Sequence, residues 1–234
     1  MKLLIKLSGE SLSGKRDAAY NQYDESMLET IANEIKMLQN EKHFIALVVG
    51  GGNLFRGSEL TGKLAIERAT ADYIGMLATV QNALVLRDYF GSKGIETRVS
   101  SAVSMPQICE RYIPKRAQRH MEKGRVVIFA AGLGAPYFTT DSTSVQRALE
   151  MDMDLLIMAK NGVDGLYTAS PDSDSSAKLI KETSSSEVLK KNLKIADQSA
   201  IALAKEHNLT IKVVGVSDIS RSLQKEVGSI IKHE

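Results

Sequence analysis

Short apolar runs rich in Val, Ile and Leu recur at positions 3–7, 44–49, 126–131, 155–159 and 211–216. Segments of helical period lie between them, and this β-then-α order predicts an α/β protein with a mostly parallel sheet covered on both faces. The first helix is clearest: Asp24 is placed as its N-cap, and Met27, Leu28, Ile31, Ile35 and Leu38 form one apolar stripe. A second helical stretch, 73–86, has no charged side chain and lies between Asp72 and Arg87. A helix apolar on most faces is buried on more than one of them. It is expected to pack on the sheet and on a second subunit, the alternative being cover from its own chain. Residues 168–177, rich in Ser and Asp, read as a surface loop. The polar stretch 183–187 is expected to precede a final helical region carrying Ile195, Ala196, Ala200, Ile201 and Leu203. No linker or internal repeat divides residues 1–234, so one domain is expected.

Composition narrows the function. Of 234 residues 43% are hydrophobic, and 30 basic side chains face 28 acidic ones, a net of +2. That is enough apolar content for a continuous core, and the even balance leaves no bulk charge for holding nucleic acid or an anionic membrane. Any anion must be bound by local geometry. A single cysteine, Cys109, excludes an intrachain disulfide and a Cys-rich metal site, and no apolar run is long enough for a signal peptide or a membrane span. A cytoplasmic protein is expected. His43, His120, His207 and His233 show no spacing to a carboxylate or thiol that suggests a catalytic pair, and zinc-type clusters are absent from the sequence.

Glycine turns follow three of the strands: Ser8-Gly9-Glu10, Gly50-Gly51-Gly52-Asn53 and Gly132-Leu133-Gly134-Ala135-Pro136. At the carboxyl edge of a parallel sheet such turns bring backbone N–H groups close to an anion, although any one of them alone is equally an ordinary tight turn. The run from Gly9 to Gly14 and Lys15 imitates a Walker A loop, but Arg16 stands where that loop needs a hydroxyl, and no amphipathic helix pattern follows in 17–22. Lys6 ends an otherwise apolar strand, where it either bridges phosphate oxygens or merely guards a sheet edge. Thr139, Thr140 and Asp141 open a helical run directly after the third turn, either as a cap or as part of a phosphate site, with Asp141 a candidate to position Lys6 or a metal ion. Arg56 is a second cation near the middle turn. With acyl transfer and zinc hydrolysis unsupported, the remaining chemistry works by positioning and charge neutralisation, as phosphoryl transfer does.

Taken together, Lys6-Leu7-Ser8-Gly9-Glu10, Gly50-Gly51-Gly52-Asn53-Leu54-Phe55-Arg56-Gly57, Asp72-Tyr73-Ile74-Gly75-Met76-Leu77-Ala78-Thr79, the stretch from Gly132 to Asp141, and Val163-Asp164-Gly165-Leu166-Tyr167 resemble the bacterial uridylate kinases of the amino acid kinase superfamily. The resemblance spans nearly the whole chain. It implies an αβα sandwich, with an N-terminal part that binds the acceptor and oligomerises and a C-terminal part that binds ATP. It also implies UMP as acceptor, Mg²⁺ held mainly by the nucleotide phosphates, and a homohexamer.

By matching position, Lys6, Ser8 and Gly9 would hold ATP phosphates with Gly52 and Arg56 beside them, Asn161 and Tyr167 would line the adenine pocket, and Leu7 and Ser170 would also contact ATP. Gly51, Asp72, Leu133, Gly134, Ala135, Pro136, Tyr137, Phe138, Thr139 and Thr140 would hold UMP. Lys6, Arg56 and Asp141 would act at the transferring group. The chain departs from the family pattern at Ser170, usually acidic, at Ala135, usually Asn, and at Ala196, usually Met before the residue matching Asp197. Residues 14–23 lack the loop associated with GTP activation. A superfamily relative acting on a small carboxylate or carbamate, and a uridine-nucleotide sensor without turnover, are the competing readings.

Overall fold

The computed structural model describes residues 1–13, 22–55, 65–169, 171, 173, 174, 176–193 and 195–233. Gly14, Lys15, Arg16 and the rest of 14–21, together with Arg56 and Ser170, therefore lie outside the described residues. The strands are β1 (Lys2–Leu7), β2 (Phe44–Val49), β3 (Thr97–Ser101), β4 (Glu110–Arg111), β5 (Val126–Ala130), β6 (Leu155–Lys160), β7 (Leu166–Tyr167), β8 (Leu179–Ile180), β9 (Glu182–Ser184), β10 (Ile211–Gly215) and β11 (Ser229–Lys232). The helices are α1 (Glu25–Asn40), α2 (Arg68–Ser92), α3 (Pro114–Glu122), α4 (Thr140–Glu150), α5 (Ser185–Lys190) and α6 (Gln198–Glu206).

Among the described residues, nine strands form one sheet in the order β4-β3-β5-β2-β1-β6-β10-β11-β9, parallel except where β11 runs against β10. Right-handed crossovers dictate which face each helix covers. Connections moving toward β4 place α1 and α2 on one face, those moving back toward β9 place α3 and α4 on the other, and α6, on the way from β9 into β10, packs with α3 and α4. The two resulting cores divide alternate residues of each strand: Leu3, Ile5 and Leu7 join Ile31, Ile35, Val80 and Phe90, whereas Leu4 joins Ala117, Val145, Ala200 and Ile201. Lys6, in register with Leu4, thereby points to the α4 face.

All five anticipated strands are present, within a residue of their expected ends. Asp24 caps α1, accepting from Ser26 N–H at 2.8 Å and Met27 N–H at 3.3 Å. Stretch 73–86 lies within α2, whose Met76, Val80, Ala83 and Leu86 pack on the sheet. Its other side leaves Tyr73 and Leu77 48% and 49% exposed, so the described residues do not cover that face. The region after 183 differs from expectation. Glu182–Ser184 is strand β9, paired with β11, and Ser184 then caps α5 by accepting from Glu187 N–H at 3.2 Å. The last helix starts only at Gln198, because Asp197 accepts from Ala200 N–H at 2.8 Å and sets the cap there; Ile195 and Ala196 precede it. No helix among the described residues is long and apolar enough to cross a membrane.

Candidate active site

The turns after β1, β2, β5 and β6 gather at one sheet edge, and β1 lies centrally between β2 and β6. Lys6, opposite Val48 on one neighbour and Met158 on the other, is 6% exposed. Its Nζ lies 2.9 Å from Asp141 Oδ1. Asp141 stands in the first turn of α4, which Thr139 caps by accepting from the N–H groups of Asp141 and Ser142 at 3.1 and 3.2 Å. A helix N-terminus and a buried ammonium thus meet at one point, an arrangement that favours an anion.

Two charged residues that sequence reasoning missed complete this centre. Lys160 ends β6 as Lys6 nearly ends β1, and its Nζ donates to Ile195 O at 2.6 Å. Burial, and then the neighbouring charge of Lys6, pushes its pKa below the ordinary lysine value, with Asp141 opposing. Asp197 receives hydrogen bonds from the hydroxyls of Thr139, Ser142 and Ser199. Burial works against its ionisation, but the bonds from Ser199, Thr139, Ala200 N–H and Ser142 outweigh it and hold the carboxyl below its usual range. The signal for Lys160 was a lysine closing an apolar strand, the same signal that singled out Lys6.

On one side of Lys6 opens a cavity of about 480 Å³. Of the residues matched to UMP, Gly51, Asp72, Leu133, Ala135, Phe138, Thr139 and Thr140 line it, with Gly52 beside them. Gly51 must be glycine, since a Cβ there would lie 2.8 Å from Ala78 Cβ and 2.9 Å from Gly75 O. Asp72 accepts from Tyr137 N–H at 2.8 Å and from Arg68 Nε at 2.9 Å, which ties the 132–139 loop to α2. Gly134, Pro136 and Tyr137 are not brought into the cavity wall. Tyr137 is 70% exposed, its ring under the Arg68 guanidinium at 5.6 Å.

On the other side are two cavities of about 500 and 620 Å³ that share Lys160, Val163, Tyr167 and Pro171. Asn161 lines the second and donates to Glu10 O at 3.3 Å, while Tyr167 lines both and donates to Asp164 at 2.7 Å. The Leu7 side chain is wholly buried in the core. Ser8 and Ser11 share a hydroxyl hydrogen bond of 2.8 Å. At Gly9 a Cβ would sit 2.5 Å from Gly52 N, so the first two turns touch only because this residue has none.

His120 pairs with Glu110 at 3.0 Å and His43 with Glu41 at 3.3 Å, and neither pair lines these cavities. Cys109 is partly buried, and that burial raises its thiol pKa, as suits a packing residue. Among the described residues no three His, Cys, Asp or Glu gather as a metal site.

The geometry can be compared with known proteins. The model of the amino acid kinase family matches residues 1–215. A uridylate kinase of Arthrobacter sp. (strain FB24) is 44% identical over 98% of this chain and 93% of its own. One from Tropheryma whipplei (strain Twist) is 47% identical over 93% of this chain and 92% of its own. The crystal structure of UMP kinase from Bacillus anthracis superposes with a TM-score of 0.93 at 37% identity, covering 100% of this chain and 96% of that one. The chain belongs to the amino acid kinase family, among the uridylate kinases.

Proposed function

We infer that the protein is a UMP kinase, transferring the γ-phosphoryl of ATP to UMP to give UDP and ADP for pyrimidine nucleotide synthesis. The observation that carries this is the pair of buried Lys6 and partly buried Asp141, 2.9 Å apart on the central strand side, with one cavity toward β2 and α2 and two toward β6. One domain thereby serves both nucleotides, the N-terminal part the acceptor and the C-terminal part the donor. Asp72 receives the ribose of UMP, and the 133–140 loop with Gly51 surrounds its base and phosphate. Asn161 and Tyr167 face the adenosine; Ser8, Gly9 and Gly52 offer backbone N–H groups to the triphosphate. Lys6 and Lys160 neutralise charge on the transferring group, and Asp141 holds Lys6 in place. No general base is required, because the acceptor phosphate is already ionised.

Asp141 Oδ1 is committed to Lys6, and both oxygens of Asp197 accept from hydroxyls. Such a donor set fits Mg²⁺ carried chiefly by the phosphates, where the ion supplies further charge neutralisation. A cytoplasmic location fits the single free Cys109. Homohexamers are proposed as the working assembly. The activity is tested by coupled ADP release with Mg²⁺-ATP and a panel of UMP, dUMP, CMP, carbamate and small carboxylates, with and without GTP and UTP. UMP is expected to turn over fastest; turnover of a carboxylate alone, or of no acceptor, overturns the inference.

A further inference from the structure

Asn82 is a fully buried amide in the middle of the uncharged stretch of α2. A buried amide is costly unless bonded, and here every position is used. Nδ2 donates to Gly50 O and to Asn53 Oδ1, both at 2.7 Å, while Oδ1 accepts from Tyr23 OH at 2.9 Å and Asn53 Nδ2 at 3.2 Å. Carbonyls fix both amide orientations: Gly50 O can only accept, so Nδ2 faces it, and Asn53 Nδ2 likewise donates to Gln22 O at 2.9 Å.

The Gly50 carbonyl belongs to the same rigid trans peptide as the Gly51 N–H, which must therefore point the opposite way, away from Asn82. Gly51 and Gly52 border the acceptor cavity. Asn53 Oδ1 also lies 2.6 Å from where a Gly9 Cβ would be, so the same amide pair rests against the first glycine turn.

We propose that Asn82 is a positioning residue for phosphoryl transfer: by gripping the Gly50 carbonyl and the Asn53 amide, it aims the Gly51 and Gly52 N–H groups at the nucleotide phosphates. This rests on the kinase reading given above. Asn82 touches neither substrate and acts through the turn.

Asn82→Asp keeps the shape but, when ionised, offers no donor to Gly50 O. The new carboxyl, buried and facing acceptors, regains a donor when it takes up a proton. Tyr23 is the titratable side chain bonded to it. At pH 8, kcat per folded molecule in Asn82→Asp is expected to fall about tenfold or more, with both KM values within about threefold. It should recover several-fold toward pH 6, where the wild type gains nothing. Asn82→Leu should lose activity with no recovery; if it fails to fold, Asn53→Ala, at a partly exposed position, should lower kcat about threefold or more.

Near-wild-type kcat in Asn82→Asp at pH 8, or a loss that tracks only the folded fraction and is flat in pH, overturns the proposal. If the wild type itself releases no ADP with UMP, the kinase reading has failed. The Asn82 role is then decided by hydrogen exchange: Gly51 and Gly52 amides should exchange about tenfold faster in Asn82→Asp, with β1 amides unchanged, and equal rates reject it.

Discussion

Lys160 illustrates how one side chain can be tuned by its surroundings and yet look ordinary in sequence. Among the described residues its Nζ is bonded only to the Ile195 carbonyl, and burial and Lys6 both disfavour its charge, so its proton leaves below the ordinary lysine value of 10.5. The sign follows directly: the charged, phosphate-neutralising form is lost as pH rises through the lowered pKa. The alkaline limb of kcat/KM, which reports the free enzyme, should begin below that value. Bound triphosphate favours the charge and should push the corresponding limb of kcat upward. Lys160→Arg, charged throughout, is expected to move the kcat/KM limb to higher pH at a lower overall rate. A limb unmoved by the substitution assigns it to another group.

Lys6 and Asp141 stood out in sequence because each interrupts or ends a regular pattern beside a glycine turn. Lys160 shows the same strand-end pattern as Lys6, but its place in the site, like that of Asp197, comes from tertiary approach: 35 residues separate it from Ile195, and 58 separate Asp197 from Thr139. No local spacing encodes that.

Among the elements, the five central strands were legible because burial on both faces demands an unbroken apolar run. β3 was not: its sequence Thr-Arg-Val-Ser-Ser carries one aliphatic residue, and its place between β4 and β5 makes it a strand. β9 is three residues at a sheet edge, held by pairing with β11, and polar residues satisfy that position as well as a loop. The glycine turns were legible as turns, but not the reason for each glycine.

At Gly51 the reason is the passage of the turn against α2, where Gly75 and Ala78 leave no room for a methyl. Gly51→Ala must push the turn away from the helix or strain both, costing about 1–3 kcal/mol. Since the displaced turn borders the acceptor cavity, the KM for UMP should rise about tenfold, with the ATP KM within about threefold. Thermal unfolding and two-substrate kinetics check this; an effect confined to ATP would contradict the placement of Gly51.

At the scale of the whole molecule, a net charge of +2 serves two anionic nucleotides because cations and turn amides are concentrated at one sheet edge. The hydrophobic fraction has a second use. α2 bonds the turns after β2 and β5 at three points from its inner side: Asp72 to Tyr137 N–H, Thr79 to Ala131 N–H at 2.8 Å, and Asn82 to Gly50 O. Its outer side presents Tyr73 and Leu77, each about half exposed. Apolar side chains aligned one helical turn apart and open to water make this the face that would meet a second copy of the chain in the proposed homohexamer. Leu77→Glu places a charge in the middle of that face without touching the inner bonds. Sedimentation at micromolar concentration should show the wild type as an assembly and the variant as a smaller species, its circular dichroism unchanged. Because α2 holds two turns of the site, freeing it from its partner should also lower kcat per subunit by about tenfold. A wild-type chain that sediments as a stable monomer, or a variant that assembles like the wild type, removes the interface from this face of α2.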